Sequence, residues 1–539
     1  LRRQRQMCIR DRGWTLRTWA TGGTSIRGTA KLTALLLVCG AQAAPGQTAS
    51  VSPTLSYTVD LNDRADDRFH VQMAVSGLGP DNAILQFAST APGTYQVMDI
   101  GRYVADLGAV SSDGTEVPVE QVSTNQWRLA DPAAVAEIRY SIAETWDTPV
   151  EEHPVYPMAG TSMEDDHVLI NPHAVFPFPS GMQDAPIELH LEYPAEWKLG
   201  TPLDANAEGA LVADDYDHFV DSPILLGRLS YASTSVTGVP VEIYTYSVTD
   251  RIESAQLLEA MDLVLQASGE FLGELPVDRY TFLFHFEGRN PMAGAWEHSY
   301  SSEYVLPEAR LSDRYANMIS DIAAHEFFHV VTPLHIHSEI IENFDFETPV
   351  PSEHLWLYEG VTEWASDAMQ LRAGLKDPDR YLADQVQKIR SDEGFFDRDY
   401  SLSRLALTSY TAEGQGQYPN IYQRGAVVGS LLDLRLLKLS GGEYGLQELM
   451  LDLAERYGVS SPFPEDELFD IITEMTYPEI GEFFEAYIRG TEPLPIDEYY
   501  GWIGIELERR EDGRAVRFVV DPEPSPEQRA LRDAWVSNP

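Results

Sequence analysis

Two histidines four residues apart flank a glutamate in His325-Glu326-Phe327-Phe328-His329, preceded by Asp321-Ile322-Ala323-Ala324. On a helix, positions i and i+4 differ by only about 40° in direction, so both imidazoles face one side. Two nitrogen ligands on one face begin a tetrahedral Zn²⁺ site. Glu326, one step round, is placed to hold and deprotonate a water bound to the metal. Alone, these five residues also fit a helix with two ordinary histidines. A catalytic zinc needs a third protein ligand and one open position. Thirty residues after His329, Leu355-Trp356-Leu357-Tyr358-Glu359-Gly360-Val361-Thr362-Glu363-Trp364 sets Glu359 at the head of an apolar-periodic helix reaching about Gly374. Its carboxylate can supply an oxygen ligand from an adjacent helix; the competing reading is an acid that only favours the helix dipole. Glu363, and after it Asp321, are the nearest carboxylates in sequence for the second N–H of a zinc-bound imidazole. His335 and His337 follow the breaker Thr332-Pro333 and should turn off the metal face, while His298 and His354 have no assignment.

These side chains need elements to carry them. Residues 50–235 read as short alternating segments separated by Gly, Pro, Asp and Asn, among them Tyr57-Thr58-Val59-Asp60-Leu61 and Ile187-Glu188-Leu189-His190-Leu191-Glu192. That pattern predicts an N-terminal antiparallel β-sandwich-like domain. From residue 236 to 492 helical spacing dominates, as in Ile252–Leu272 and Tyr422–Leu439, the latter stopped by Ser440-Gly441-Gly442. Residues 493–539 form a C-terminal extension with a strand-like piece, Val516–Val520, and a polar, Pro-containing end. The fold class expected is multidomain α+β.

Several motifs in order resemble the glycyl aminopeptidase family of zinc metallopeptidases, within the gluzincin group. H-E-F-F-H followed by L-W-L-Y-E-G-V-T carries the resemblance, joined by Gly294-Ala295-Trp296-Glu297-His298 and Tyr422-Gln423-Arg424-Gly425. In the β region, Pro92-Gly93-Thr94-Tyr95 with Arg102 and Tyr216-Asp217-His218-Phe219-Val220-Asp221-Ser222-Pro223 are similar to family segments. The resemblance implies a thermolysin-like catalytic domain with one zinc per chain on His325, His329 and Glu359, and Glu326 as general base. It further implies that Glu297, on a strand with Gly294 and Ala295, binds the substrate's α-ammonium group. Tyr422 would donate a hydrogen bond to the oxyanion. The activity implied is hydrolysis of N-terminal residues, small ones such as Gly or Ala, from peptides. A zinc endopeptidase and a non-catalytic peptide-binding module are the alternatives. Three departures stand out: Val330-Val331-Thr332-Pro333 follows the zinc motif, Trp296 replaces a smaller apolar residue, and Arg424 replaces lysine. The residues after Gly490 are too few for the PDZ domain that many members carry, so either this branch lacks it or the chain stops short at Pro539.

The 539 residues hold 85 acidic and 38 basic side chains, a net charge of −47, with two cysteines. Such acidity disfavours nucleic acid and anionic lipid as partners. It reads as surface adaptation to a saline exterior. Arg27 and Lys31 lead a short apolar run to Ala41-Gln42-Ala43, the layout of a secretory signal over residues 1–43. Its extreme N-terminus, LRRQRQMCIRDR, reads as a translated sequencing adapter. Removal of the signal takes Cys8 and Cys39 and leaves a chain of net charge −54. No other run approaches the length of a membrane span, so the expected location is periplasmic or extracellular, with lipid attachment at Cys39 a minor alternative.

Overall fold

The computed structural model of the chain describes residues 54–150, 152–288 and 293–536. The expected signal, with Cys8 and Cys39, lies outside them. From Leu55 to Gly227 the chain forms one eight-stranded and two four-stranded sheets. Strand Arg68–Val75 shows why: Phe69, Val71, Met73 and Val75 turn inward at every second position. They join Tyr57, Ile138, Phe176 and Ile187 in one buried core. Pairing is mainly antiparallel, although Leu55–Asp60 runs parallel to Ile187–Glu192.

A five-stranded mixed sheet follows, ordered Ser230–Val236, Val239–Ser247, Tyr280–Glu287, Ser301–Pro307 and, at the edge, Gly294–His298. The first two strands form a hairpin through Thr237 and Gly238, both left-handed (φ 47° and 93°) as a two-residue hairpin loop requires. A boundary at 235/236 therefore cuts a paired hairpin, and the change of layer falls instead near Leu229. Helical spacing also hid the strands Tyr280–Glu287 and Ser301–Pro307, while Gly294–His298 is the strand that the resemblance implies. Tyr280–Glu287 is buried on both faces, so its sequence lacks alternation. One face of the sheet, with Phe282, Phe284, Phe286 and Tyr304, packs in the core shared by helices Ser254–Leu272 and Asp313–Phe328. Leu283, Val305 and Tyr246, on the other face, meet Leu169 and Leu225 of the β region.

Helices carry most of the remainder. Trp356–Val361 is a π-helical turn that continues into Thr362–Arg372. Asn420–Ser440 ends at Gly441, whose left-handed conformation (φ 74°) caps it as the glycine pair predicts. The C-terminal extension is not peripheral. Ile496–Trp502, the hairpin Ile505–Arg509 with Ala515–Val520, and helix Pro526–Val536 all contribute to the helical core, and Trp535 packs 5.5 Å from Tyr381. In the last helix only Leu531 and Trp535 are fully buried, too few apolar positions to announce it in sequence. Among the described residues, no helix is long and apolar enough to cross a membrane.

Candidate metal centre

Ser312 caps helix Asp313–Phe328 by accepting from Tyr315 N. In its last turns Ala323, Ala324, Phe327 and Phe328 bury against the sheet and helices, leaving His325 and Glu326 to the cleft, with His329 at the C-cap. The imidazole centroids lie 4.9 Å apart. Each ring is held from behind: His325 Nδ1 by Glu363 Oε2 at 2.9 Å, His329 Nδ1 by the Thr332 carbonyl at 2.9 Å. Both Nε2 atoms thus turn inward, 3.4 Å and 3.7 Å from Glu359 Oε2. Ligands of a tetrahedral metal at about 2.1 Å stand roughly 3.4 Å apart, so the three donors fit such an ion.

Glu359 reaches this position through the π-helical turn and a close helix crossing. A Cβ on Gly425 would stand 2.8 Å from the Gly360 Cα. Two glycines in contact let helix Asn420–Ser440 settle on Trp356–Val361. The crossing brings Tyr422 over the site, its ring 5.6 Å from that of His325 and among the residues that line the same cleft as Glu359. From the sheet edge comes Glu297, whose carboxylate shares a 4.8 Å cluster with Glu326 and His329. These groups line a cleft of about 640 Å³, joined by Gly294 and Ala295 from the edge strand and by Gly93, Thr94 and Met158 from the β region.

The electrostatics also call for a cation. Burial pushes Glu326 up to about 8, opposed by the His325 charge and reinforced by Glu359. Burial, then the charges of Glu359 and Glu326, raise Glu297 well above the carboxylate range. Burial lowers His329 to about 4. Burial would lower His325 as well, but hydrogen bonds with Glu359 and Glu363 raise it instead. Carboxylates forced together out of water repel one another, and a divalent ion among them relieves that repulsion.

Other sequence candidates fall elsewhere. Asp321 lines the cleft but accepts from Gln370 Nε2 at 3.0 Å and holds neither imidazole. A position one turn before His325 faces back along the helix, which leaves Glu363 as the partner of that ring. His335 and His337 turn to the Ala454 and Pro333 carbonyls, and His354 to that of Glu465. Arg424 is buried away from the cleft, donating to Tyr400 O at 3.2 Å. Trp296 points into the β region, where Nε1 donates to Pro92 O at 3.2 Å. Sequence spacing missed the Thr332 carbonyl, since a main-chain acceptor has no residue signature. Spacing also gave no role to Asp221 of the family-like segment Tyr216–Pro223, which holds His298 Nδ1 at 3.2 Å and Ser299 N at 2.9 Å and so fixes the end of the strand bearing Glu297.

No curated protein matches the chain. Among solved structures, an aminopeptidase N family protein from Idiomarina loihiensis superposes with TM-score 0.75 at 22% identity, covering 88% of this chain and 82% of that one. Native yeast LTA4 hydrolase gives TM-score 0.49 at 12% identity, covering 84% and 72%. The first of these likenesses shows a shared fold. Two family models match the sequence, the peptidase M61 N-terminal domain over residues 56–228 and the M61 glycyl aminopeptidase over residues 318–428. With both the β region and the segment bearing His325, Glu326, His329, Glu359 and Tyr422 matched in order, the chain belongs to the M61 glycyl aminopeptidase family of peptidases.

Proposed function

We propose that the chain is an exported zinc aminopeptidase that hydrolyses N-terminal residues, small ones such as Gly or Ala, from peptides. The observation that carries this reading is the convergence of three metal donors with Glu326 and Glu297 in one cleft. A zinc ion on His325, His329 and Glu359 would supply Lewis-acid activation of the scissile carbonyl and of water. Glu297 binds the α-ammonium group and sets the first peptide bond over Glu326. Glu326 takes a proton from the attacking water as its oxygen bonds to the carbonyl carbon. The same carboxyl then delivers that proton to the leaving amine as the C–N bond breaks. The Tyr422 hydroxyl donates to the carbonyl oxygen as charge builds on it.

Glu326→Gln should lower kcat by about 10²–10⁴ with metal content unchanged, as loss of a general base does; near-normal turnover would remove the proposed base. Rates on a series of aminoacyl amides, with and without chelator, test the metal and the small first residue together. Export is supported by the signal-like layout before Ala44. N-terminal sequencing of protein recovered outside the cytoplasm should start near Ala44, and an intact leader there would refute the cleavage.

A further inference from the structure

Among the described residues, strand Gly294–His298 pairs on one side only. A free strand edge can take an extended peptide of any length. Selection of a free N-terminus therefore needs something that ends the track at Glu297. Segment Pro92–Tyr95 of the β region lies at that end. Trp296 Nε1 ties down Pro92 O, and a Cβ on Gly93 would stand 2.6 Å from Glu297 Oε1. Gly93 and Tyr95 are both left-handed (φ 73° and 47°), so the segment turns sharply across the strand end. The Tyr95 ring then packs 5.4 Å from that of Tyr418 in the cleft wall. A second segment, Tyr156–Met158, closes the neighbouring wall, with Met158 Sδ 2.6 Å from where a Gly294 Cβ would be.

One side chain of the helical region staples both segments. Gln415 Nε2 donates to Tyr95 O at 2.8 Å, and its Oε1 accepts from the Tyr156 hydroxyl at 3.2 Å. Gln96 Oε1 accepts from Tyr156 N at 3.1 Å and ties the two segments together. Arg102 donates to Glu152 O at 2.6 Å, four residues ahead of the second segment.

We propose that Pro92–Tyr95, clamped by Gln415, is the stop that makes the cleft one-ended. Gly93 is a specificity-determining position and Gln415 a positioning residue. This rests on the aminopeptidase reading, with Glu297 as the ammonium partner. Specificity then has an attractive and a repulsive part. A free ammonium pairs with Glu297 from the open side of the cleft, with the Gly93 backbone packed against the far side of that carboxylate. An acylated nitrogen would have to enter the space the segment fills, and would leave Glu297 buried without its counter-ion.

The test compares kcat/KM for one peptide with a free and an acetylated N-terminus. Gln415→Leu, which loses the hydrogen bonds to both segments, and Tyr95→Ala, which keeps its carbonyl but loses the ring packed on Tyr418, should each shift the ratio about five- to tenfold toward the acetylated form. Thermal melting checks that each variant is folded. Gly93→Ala, whose methyl group meets Glu297, should raise KM for the free peptide more than it lowers kcat. Should this variant not fold, the other two decide. If both leave the wild-type ratio unchanged while Glu297→Gln collapses it, the stop is refuted and the aminopeptidase reading stands. If Glu297→Gln also leaves the ratio unchanged, the aminopeptidase reading fails and the stop with it.

Discussion

Behind the proposed metal ligands, Glu363 faces His325 on one side and the Lys388 ammonium on the other, and Lys388 lies 3.6 Å from Asp367. Lys376 pairs with Asp367 at 2.7 Å and with Asp384 at 3.3 Å. Two of the five lysines in the chain are thus spent on this cluster, where they offset acids that would otherwise repel one another. Glu363→Gln keeps the shape but loses the charge that orients His325. It should weaken metal affinity about 10- to 100-fold in chelator competition; unchanged affinity would remove the role. Glu144, buried in the β region, has a raised pKa. Burial raises it from its ordinary 4.5 to about 7, against hydrogen bonds from Asp147 N and Trp146 N. Its folded pKa lies above the unfolded one, so its stabilising contribution is complete below pH 4.5 and fades as pH rises through about 7. Glu144→Gln should flatten that decline in urea unfolding measured from pH 4.5 to 8, and an unaltered slope would assign it to another group.

At the scale of elements, the glycine crossing sets the active geometry. Glu359 precedes Gly360 by one residue and Tyr422 precedes Gly425 by three, so the closest approach of the two helices lies beside both functional side chains. A π-helical turn at Trp356–Val361 shifts the helix face there, a feature often found at functional sites. Gly425→Ala places a methyl group against the Gly360 backbone and must push the helices apart. We expect a loss of about 1–3 kcal/mol in stability by denaturant titration. A fall in kcat larger than any rise in KM should accompany it. Full kcat in a destabilised variant would show that Tyr422 does not depend on the crossing.

For the whole molecule, the five-stranded sheet is the layer both halves share. Helices pack on one face, the β region covers the other, and the described residues belong to one compact unit. The cleft therefore has walls from both halves. Its surface setting is a chain with 85 acidic side chains against 38 basic ones. Such self-repulsion is long-ranged and screened by salt. Raising NaCl from about 0.05 M to about 1 M should raise Tm by several degrees. A Tm insensitive to salt would remove the proposed adaptation to a saline exterior.

What the sequence determined by itself was local. His325, Glu326 and His329 sit within one helical turn, and their convergence follows from the geometry of the helix. The alternating strands of the β region and the glycine stop after Ser440 were legible for the same reason: each signal lies within a few residues of its effect. Glu359 and Glu363 could be singled out because they recur one turn apart on a second apolar helix. Only the tertiary structure decided what meets across distance. It chose Glu363 over Asp321 behind His325, supplied the Thr332 carbonyl behind His329, and laid Gly93 against Glu297 from another part of the chain. It also revealed Tyr280–Glu287 as a strand and Pro526–Val536 as a helix of the core, because burial on both faces erases alternation and two anchors make no period. A contact between segments depends on packing, and packing has no period that a sequence can display.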